Sequence, residues 1–407
     1  MLANRTDHRF GTFVLAIAVW ASGAWADDRA DFNAAYRAYE QHLAAKDAKQ
    51  ALEAAKEAHR AGSKLFGKDS VNAAKLAINY AALLNDVGHY RKARRALDGT
   101  QDVFRSRYGE GAVELVPIMM QLARSAKTPD DTLEYFRRAA RLSRGYDDSL
   151  VEAEKNFEIM SILLRMGGGA FVEPYVDRTY EIYSERLEPN DFRLGLVSYH
   201  KARWATARGH HEQALGYLNG ALIALTNPER ERMGGFERTV RMQIVEATEE
   251  LGQRDASTEH LLLLGAQQEW SPEVEPVYRS DPVVPMDAMT KRLKGKVTLS
   301  FTIDEQGFVV DPEVSESTQP TLNDAALAMV KGFRYAPRFI DGNPVATAGI
   351  EYTEDFAFLS SGTGLARPQF ERPPIRGFLN VDFTDMSECS KPVPDERVCG
   401  FMMPGVK

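Results

Sequence analysis

The sequence predicts a multidomain chain: an all-α array of helical hairpins, then a small α+β domain ordered strand, strand, helix, strand. Three observations carry that reading. The 19 prolines fall five in residues 1–270 and fourteen in the last 137, and proline is hard to place inside a helix. Residues 27–270 are rich in Ala, Leu, Glu, Arg and Lys, and residues 72–84 repeat small and apolar side chains at three- and four-residue spacing, the mark of packed helix. Residues 296–303 alternate strictly between polar and apolar, the period of a half-buried strand.

The totals set limits. A chain of 407 residues that is 44% hydrophobic is long enough for two or three cores. The formal net charge is −8, from 58 acidic and 50 basic residues, which argues against nucleic acid as a partner. Two cysteines, Cys389 and Cys399, are too few for a disulfide-dense scaffold or a Cys-rich metal site.

Arg5 and Arg9 precede a short apolar stretch over residues 10–21, followed by Ala24-Trp25-Ala26 and then Asp27 and Asp28. Residues 1–26 therefore read as a secretory signal peptide cut after Ala26. The apolar stretch falls well short of the roughly 20 residues that a spanning helix needs. Cleavage leaves a periplasmic chain with no membrane span. The alternative is an uncleaved anchor that holds the chain on the periplasmic side of the inner membrane.

Within 27–270, Ala51 and Ala93 are 42 residues apart, as are Phe66-Gly67 and Tyr108-Gly109, and Ala214 and Ala256. The turn glycines Gly209 and Gly252 are offset by one from that register, and residues 132–169 stay helical but lose it. A period in this range signals stacked hairpins. The segment resembles tetratricopeptide repeats of the 42-residue variety, with four to six hairpins expected. Ala51, Ala93, Ala214 and Ala256 are expected where the two helices of a hairpin approach closely. Such arrays hold a peptide or protein on one face. Pro117 demands a helix start or a kink.

Residues 271–290 read as a proline-rich linker, with four prolines in 271–285, extended and stiff. In 291–360, Val297, Leu299, Phe301 and Ile303 point one way from the first strand. Residues 304–307 make a turn, with Gly307 suited to positive φ. Residues 308–314 return, and Pro312 limits central pairing. Thr321 is expected to N-cap a helix, with Asp324 in its first turn. Leu322, Ala325, Ala326, Met329, Val330 and Phe333 form its apolar face. Residues 341–344 turn into a last strand, with Ile350, Tyr352, Phe356 and Phe358 on one face and Glu351, Thr353 and Asp355 on the other.

Several of these motifs agree in order and spacing: Gly295-Lys296-Val297 through Asp304 and Gly307, Leu322-Asn323-Asp324-Ala325-Ala326, Phe333-Arg334-Tyr335-Ala336-Pro337, and Gly342-Asn343-Pro344-Val345. Together they resemble the C-terminal domain of TonB-family energy transducers. The resemblance implies binding by strand addition, in which backbone groups at an open sheet edge take up a segment of a TonB-dependent outer-membrane receptor. Carried onto this chain, the strand is Gly349, Ile350, Glu351, Tyr352, Thr353, Glu354, Asp355 and Phe356. The side chains of Ile350, Tyr352 and Phe356 can equally serve as core, and the two roles are compatible. The chain departs from the family in separating Tyr278 from Pro282 and in carrying a helical array where transducers have a long proline-rich span. A membrane-anchored transducer with an uncleaved N-terminus is the second functional reading.

In the tail, residues 361–407, Cys389 and Cys399 sit close enough to pair in an oxidising compartment, an 11-residue loop worth about 3 kcal/mol. No catalytic, metal or cofactor motif stands out. His210-His211 falls in a turn without metal-ligand spacing, and Gly167-Gly168-Gly169 has no following lysine. The expectation is a protein-binding chain without cofactor, not an enzyme.

Overall fold

The computed structural model describes residues 26–167, 169–226, 232–271, 273–356, 358–359 and 367–368. The Cys389–Cys399 pair and the expected signal peptide short of Ala26 lie outside them. The chain divides into two compact units between Leu187 and Glu188, inside the helical region. No described helix is long and apolar enough to cross a membrane.

The first unit holds α1 (Ala26–Ala44), α2 (Ala48–Phe66), α3 (Val71–Asp86), α4 (Tyr90–Ala96), α5 (Thr100–Tyr108), α6 (Val116–Arg124), α7 (Pro129–Ser143), α8 (Ser149–Arg165) and α9 (Glu173–Arg186). They pair as α1 with α2, α3 with α4 and α5, α6 with α7, and α8 with α9. Local chemistry sets the helix starts. Asp47, Ser70, Thr128 and Asp148 each accept a backbone N–H from the first turn of α2, α3, α7 and α8, satisfying donors that a helix leaves orphaned. Pro117 sits in the first turn of α6, where its missing N–H costs nothing. It starts a helix and does not kink one.

The second unit opens with two more hairpins, α10 (Phe192–Ala207) with α11 (His211–Leu225), and α12 (Gly235–Glu250) with α13 (Thr258–Ala266). Six hairpins are thus present among the described residues. One turn recurs in four of them. Lys46, Gly88, Gly209 and Gly252 have φ of 58°, 75°, 75° and 71°. The next residue in each case donates its N–H five residues back: Asp47 to His42, His89 to Leu84, His210 to Ala205 and Gln253 to Thr248. This is a left-handed helix stop closed by a long backbone bond.

Counting five residues past each stop gives Ala51, Ala93, Ala214 and Ser257, all at most 1% exposed. The expected alanine Ala256 is exposed. The last repeat has slipped by one residue, as its glycine spacing of 43 implies, and a serine takes the close-packed position. That polar substitution has a partner, described below.

His200 on α10 is 3% exposed, and its Nδ1 has no hydrogen-bond partner. Burial, then the charge of Arg203, lowers its pKa from 6.5 to about 3. The unfolded chain takes up this proton as pH falls below about 6.5, while the folded chain resists until about 3. Stability from this site is therefore complete above pH 6.5 and is lost on acidification through that window, by on the order of 5 kcal/mol. Urea titrations of wild type and His200→Leu at stepped pH should show the loss in the first and a flatter profile in the second.

After α14 (Met286–Thr290) comes an antiparallel three-stranded sheet of β1 (Gly295–Ile303), β2 (Val309–Ser317) and β5 (Thr347–Phe356), in the order β2-β1-β5. Between β2 and β5 lie α15 (Asn323–Lys331) and a small hairpin of β3 (Arg338–Ile340) with β4 (Asn343–Val345). The alternation in β1 holds: Val297, Leu299, Phe301 and Ile303 are buried, and Leu322, Ala326, Met329, Val330 and Phe333 join them in one core.

Three details differ from the sequence reading. Thr321 caps nothing; Pro320–Leu322 forms a 3-10 turn that runs into α15, and the N-cap position is Leu322. The proline-rich stretch ends in the short helix α14. The same stretch is packed and does not float as a linker. Val284 and Ala288 are in the sheet core, Trp270 and Val274 lie against it, and Tyr278 bridges to Arg334.

Candidate partner-binding edge

β1 is central, so β2 and β5 are the two edges of the sheet. β2 is blunted, with Asp311 at φ 49° and Pro312 beside it; a bulge and a proline are standard guards against strand pairing. β5 carries neither over residues 350–356, where its register with β1 is regular from Ile350↔Phe301 to Phe356↔Gly295. One extra β5 residue enters between Ile350 and Thr347, and Gly349 with φ 74° absorbs it, as a glycine-type bulge requires.

Which β5 groups are free follows from the ladder. The Lys296 N–H donates to Thr318 Oγ1 at 2.8 Å, and the Lys296 carbonyl accepts from Thr318 N–H at 2.9 Å. Lys296 thus turns toward β2. Alternation turns Val297, Leu299 and Phe301 toward β5, where they face Glu354, Tyr352 and Ile350. The N–H and C=O of Glu351, Thr353 and Asp355 therefore point away from β1. Thr298 and Thr353 are a non-bonded pair in this scheme, and their hydroxyls meet at 3.0 Å, as the closer side-chain spacing of such pairs allows. Among the described residues no other strand pairs with this edge.

The side chains behind the edge are anchored. Ile350 and Phe356 are 5% and 2% exposed. Tyr352 is half-buried and meets Phe333 edge-on at 5.1 Å. Arg279 lies over the Tyr352 ring at 4.9 Å and the Phe333 ring at 5.7 Å, hydrogen-bonds the Tyr352 hydroxyl and reaches Glu354 at 3.8 Å. Tyr352 donates to Glu354. Burial raises the Glu354 carboxyl above its ordinary range, and Arg279 opposes that rise. Glu351, Thr353 and Asp355 are exposed, and Asp355 pairs with Lys296 at 3.5 Å. The edge is a regular row of backbone groups with an acidic flank.

A second cluster fixes the domain to the last hairpin. Arg334 is fully buried. Its guanidinium pairs with Glu249 and donates to Arg254 O at 2.6 Å, Ser257 Oγ at 2.8 Å, Thr258 Oγ1 at 2.9 Å and Gln306 O at 3.2 Å. It lies 3.7 Å from the centre of the Phe308 ring. Ser257 in turn donates to Glu249 at 2.6 Å. The backbone of Arg334 is held on both sides: its N–H donates to Tyr278 O at 3.0 Å, while its carbonyl accepts from Val277 at 2.8 Å. Tyr335 N–H donates to Gly307 O at 2.9 Å. Desolvation lowers the Arg334 pKa and Glu249 counters it. Pro337 and Phe339 then close against Gly265 of α13, where a side chain would collide with Pro337 O.

Residues 280–356 match the family model for the Gram-negative bacterial TonB protein C-terminal. This segment is a TonB C-terminal domain. The match begins at Ser280, whose hydroxyl donates to Met329 O at 2.7 Å at the end of α15, so the family boundary falls within the packed approach segment. No curated protein matches the chain significantly. Among solved structures, the crystal structure of BtubC (BKLC) from P. vanneervenii is similar, at 12% identity and a TM-score of 0.38, covering 57% of this chain and 87% of that one.

All eight residues of the expected strand, Gly349 to Phe356, lie in β5 of the TonB-type domain. Phe358 is expected on the same face as Ile350, Tyr352 and Phe356; its side chain lies outside the described residues. Glu249 and Ser257 carry no mark in the sequence that ties them to Arg334. The one available signal was an arginine between two aromatics, Phe333 and Tyr335, at a helix end that must turn back onto a core.

Proposed function

We propose that this chain is a periplasmic binding protein of Gram-negative envelope transport. Its TonB-type domain takes up an extended segment of an outer-membrane receptor on the open edge of β5, and the helical hairpins hold a second protein. The observation that carries this reading is the asymmetry of the sheet: β2 is guarded by Pro312 and a bulge, whereas Glu351, Thr353 and Asp355 present unshared backbone groups. Strand addition uses such groups for affinity and side-chain pockets for selectivity. The role is binding and not catalysis, since the sequence offers no nucleophile–base or metal-ligand constellation. The acidic flank of β5 favours receptor segments that carry Lys or Arg. Peptides from the periplasmic N-terminal segments of TonB-dependent receptors, immobilised and challenged with the full chain, should retain it. If none does, while a transducer's own C-terminal domain is retained, the receptor reading is wrong.

A further inference from the structure

Val283 and Met286 are the most exposed large apolar side chains among the described residues, at 84% and 73%. A loose segment would account for that, but this one is fixed. Val284 and Ala288, which flank Met286 in sequence, are buried in the sheet core, and Met289 and Leu293 pack against it. Pro285 holds φ −55° and ψ 141° at the start of α14, and Pro282 restricts the backbone before Val283. The anchored residues hold their two apolar neighbours out in water. Apolar groups exposed in this way and rimmed by polar ones mark an interaction site.

The rim is basic. Lys291, Arg292, Lys294 and Lys296 are four cations within six residues of a chain whose net charge is −8, and all four are exposed. α14 ends as the hairpin turns do. Arg292 has φ 51°, and Leu293 N–H donates to Ala288 O at 3.0 Å, five residues back. That stop folds the basic run back against the end of α14. Lys291 pairs with Asp287 at 3.9 Å and Lys296 with Asp355 at 3.5 Å, all four side chains well exposed, so both pairs are weak. Asp281 is the other acidic group of the segment. Arg292 and Lys294 have no ion pair among the described residues.

The two halves of the patch call for one partner. Side chains that protrude this far give a rigid protein surface little contact unless it carries a matching socket, whereas a fluid hydrocarbon layer closes around them. Cations beside them stay with anionic headgroups while the apolar tips enter. We propose that the turn from Pro282 to Lys296 docks on the surface of an anionic lipid bilayer, with Val283 and Met286 inserted and Arg292 and Lys294 on the headgroup phosphates. The contact is peripheral and reversible, since two apolar side chains bury too little to anchor a chain. Lys296 sits opposite Asp355 near the end of β5, so a docked chain holds the β5 edge beside the bilayer. The proposal does not depend on what β5 binds.

The test floats the full chain with vesicles of phosphatidylcholine alone and of phosphatidylcholine with an equal share of phosphatidylglycerol. Wild type should float with the anionic vesicles and stay behind with the neutral ones. Salt at about 1 M, where the screening length falls to about 3 Å, should release it. Two double variants separate the halves of the patch: Val283→Ser with Met286→Ser, and Arg292→Asn with Lys294→Gln, asparagine being suited to the left-handed position. Each should weaken flotation by roughly tenfold or more. Their melting temperatures should match wild type, because these side chains lie outside the core. Thr353→Pro should float like wild type. No flotation, equal flotation with neutral vesicles, or equal flotation of either double variant overturns the proposal. So does a wild-type dimer in light scattering that Val283→Ser with Met286→Ser returns to monomer, which makes the patch a contact between two copies. Should a double variant not fold, the salt response of wild type decides: release from anionic vesicles supports the proposal, and persistent binding overturns it.

Discussion

Replacing Arg334 by methionine is expected to destabilise the C-terminal unit by about 3–5 kcal/mol. The cause is less the lost pairing than what is left behind. Glu249, whose side chain is 2% exposed, would be left in a dry site with only Ser257 and Arg254 to satisfy it. The carbonyls of Arg254 and Gln306 would each lose a donor as well. Lysine should rescue little, because a single ammonium cannot reproduce the forked set of donors that reaches five separate groups. Adding Glu249→Gln to Arg334→Met should recover a substantial part of the loss, since the two replacements act on one buried pair. Urea unfolding followed by tryptophan fluorescence reads all four proteins. A single-variant loss under about 1 kcal/mol would show that the cluster contributes no more than a surface pair. Any fragment cut at the family boundary also lacks Glu249, Ser257 and Thr258. Binding work on the TonB-type domain therefore belongs on the whole chain.

Thr353→Pro is expected to abolish partner uptake at β5 while leaving the fold intact. Proline removes one N–H, and at Thr353 that N–H points away from β1, so no ladder bond is lost. Tyr352→Pro is the contrasting variant. Its N–H faces Leu299, so proline there breaks the sheet itself and lowers stability together with binding. A binding site made of main-chain groups predicts this one-residue difference: Thr353→Pro loses binding at least tenfold with its melting temperature within a few degrees of wild type, and Tyr352→Pro loses both. Equal binding by Thr353→Pro and wild type would mean that partners use side chains or another surface.

How much was legible in the sequence depended on the range of the interaction. Strand β1 could be read residue by residue because period-two alternation is local, and so could the apolar face of α15. Helix stops at Gly88, Gly209 and Gly252 were visible because a left-handed stop selects glycine; the same stop at Lys46 was not, because a lysine there carries no such mark. A 42-residue register points to Ala256, but the last repeat has gained one residue, and only the burial of Ser257 reveals the slip. Thr321 looked like a cap from its residue type, but Pro320 sets up a 3-10 turn that satisfies the helix start by another route. The Arg334 cluster was out of reach for a different reason. Four of its five partners lie 76 to 85 residues upstream, from the end of α12 to the start of α13, and nothing periodic in the sequence links them. The proline-rich approach segment misled in the same way. Its composition says only that it is not helical, and whether it floats or packs is decided by Tyr278, Val284 and Ala288 meeting a sheet that forms later in the chain.

The outward phase of β5 is the central claim, and amide hydrogen exchange tests it most directly. In the free chain the amides of Glu351, Thr353 and Asp355 should exchange fast, while those of Ile350, Tyr352 and Glu354, bonded to β1, should be slow. A receptor peptide that adds as a strand should slow Glu351, Thr353 and Asp355 by at least tenfold and leave the other three nearly unchanged. If the peptide binds and those three amides keep their free-chain rates, or if they are already slow without it, strand addition at this edge is wrong.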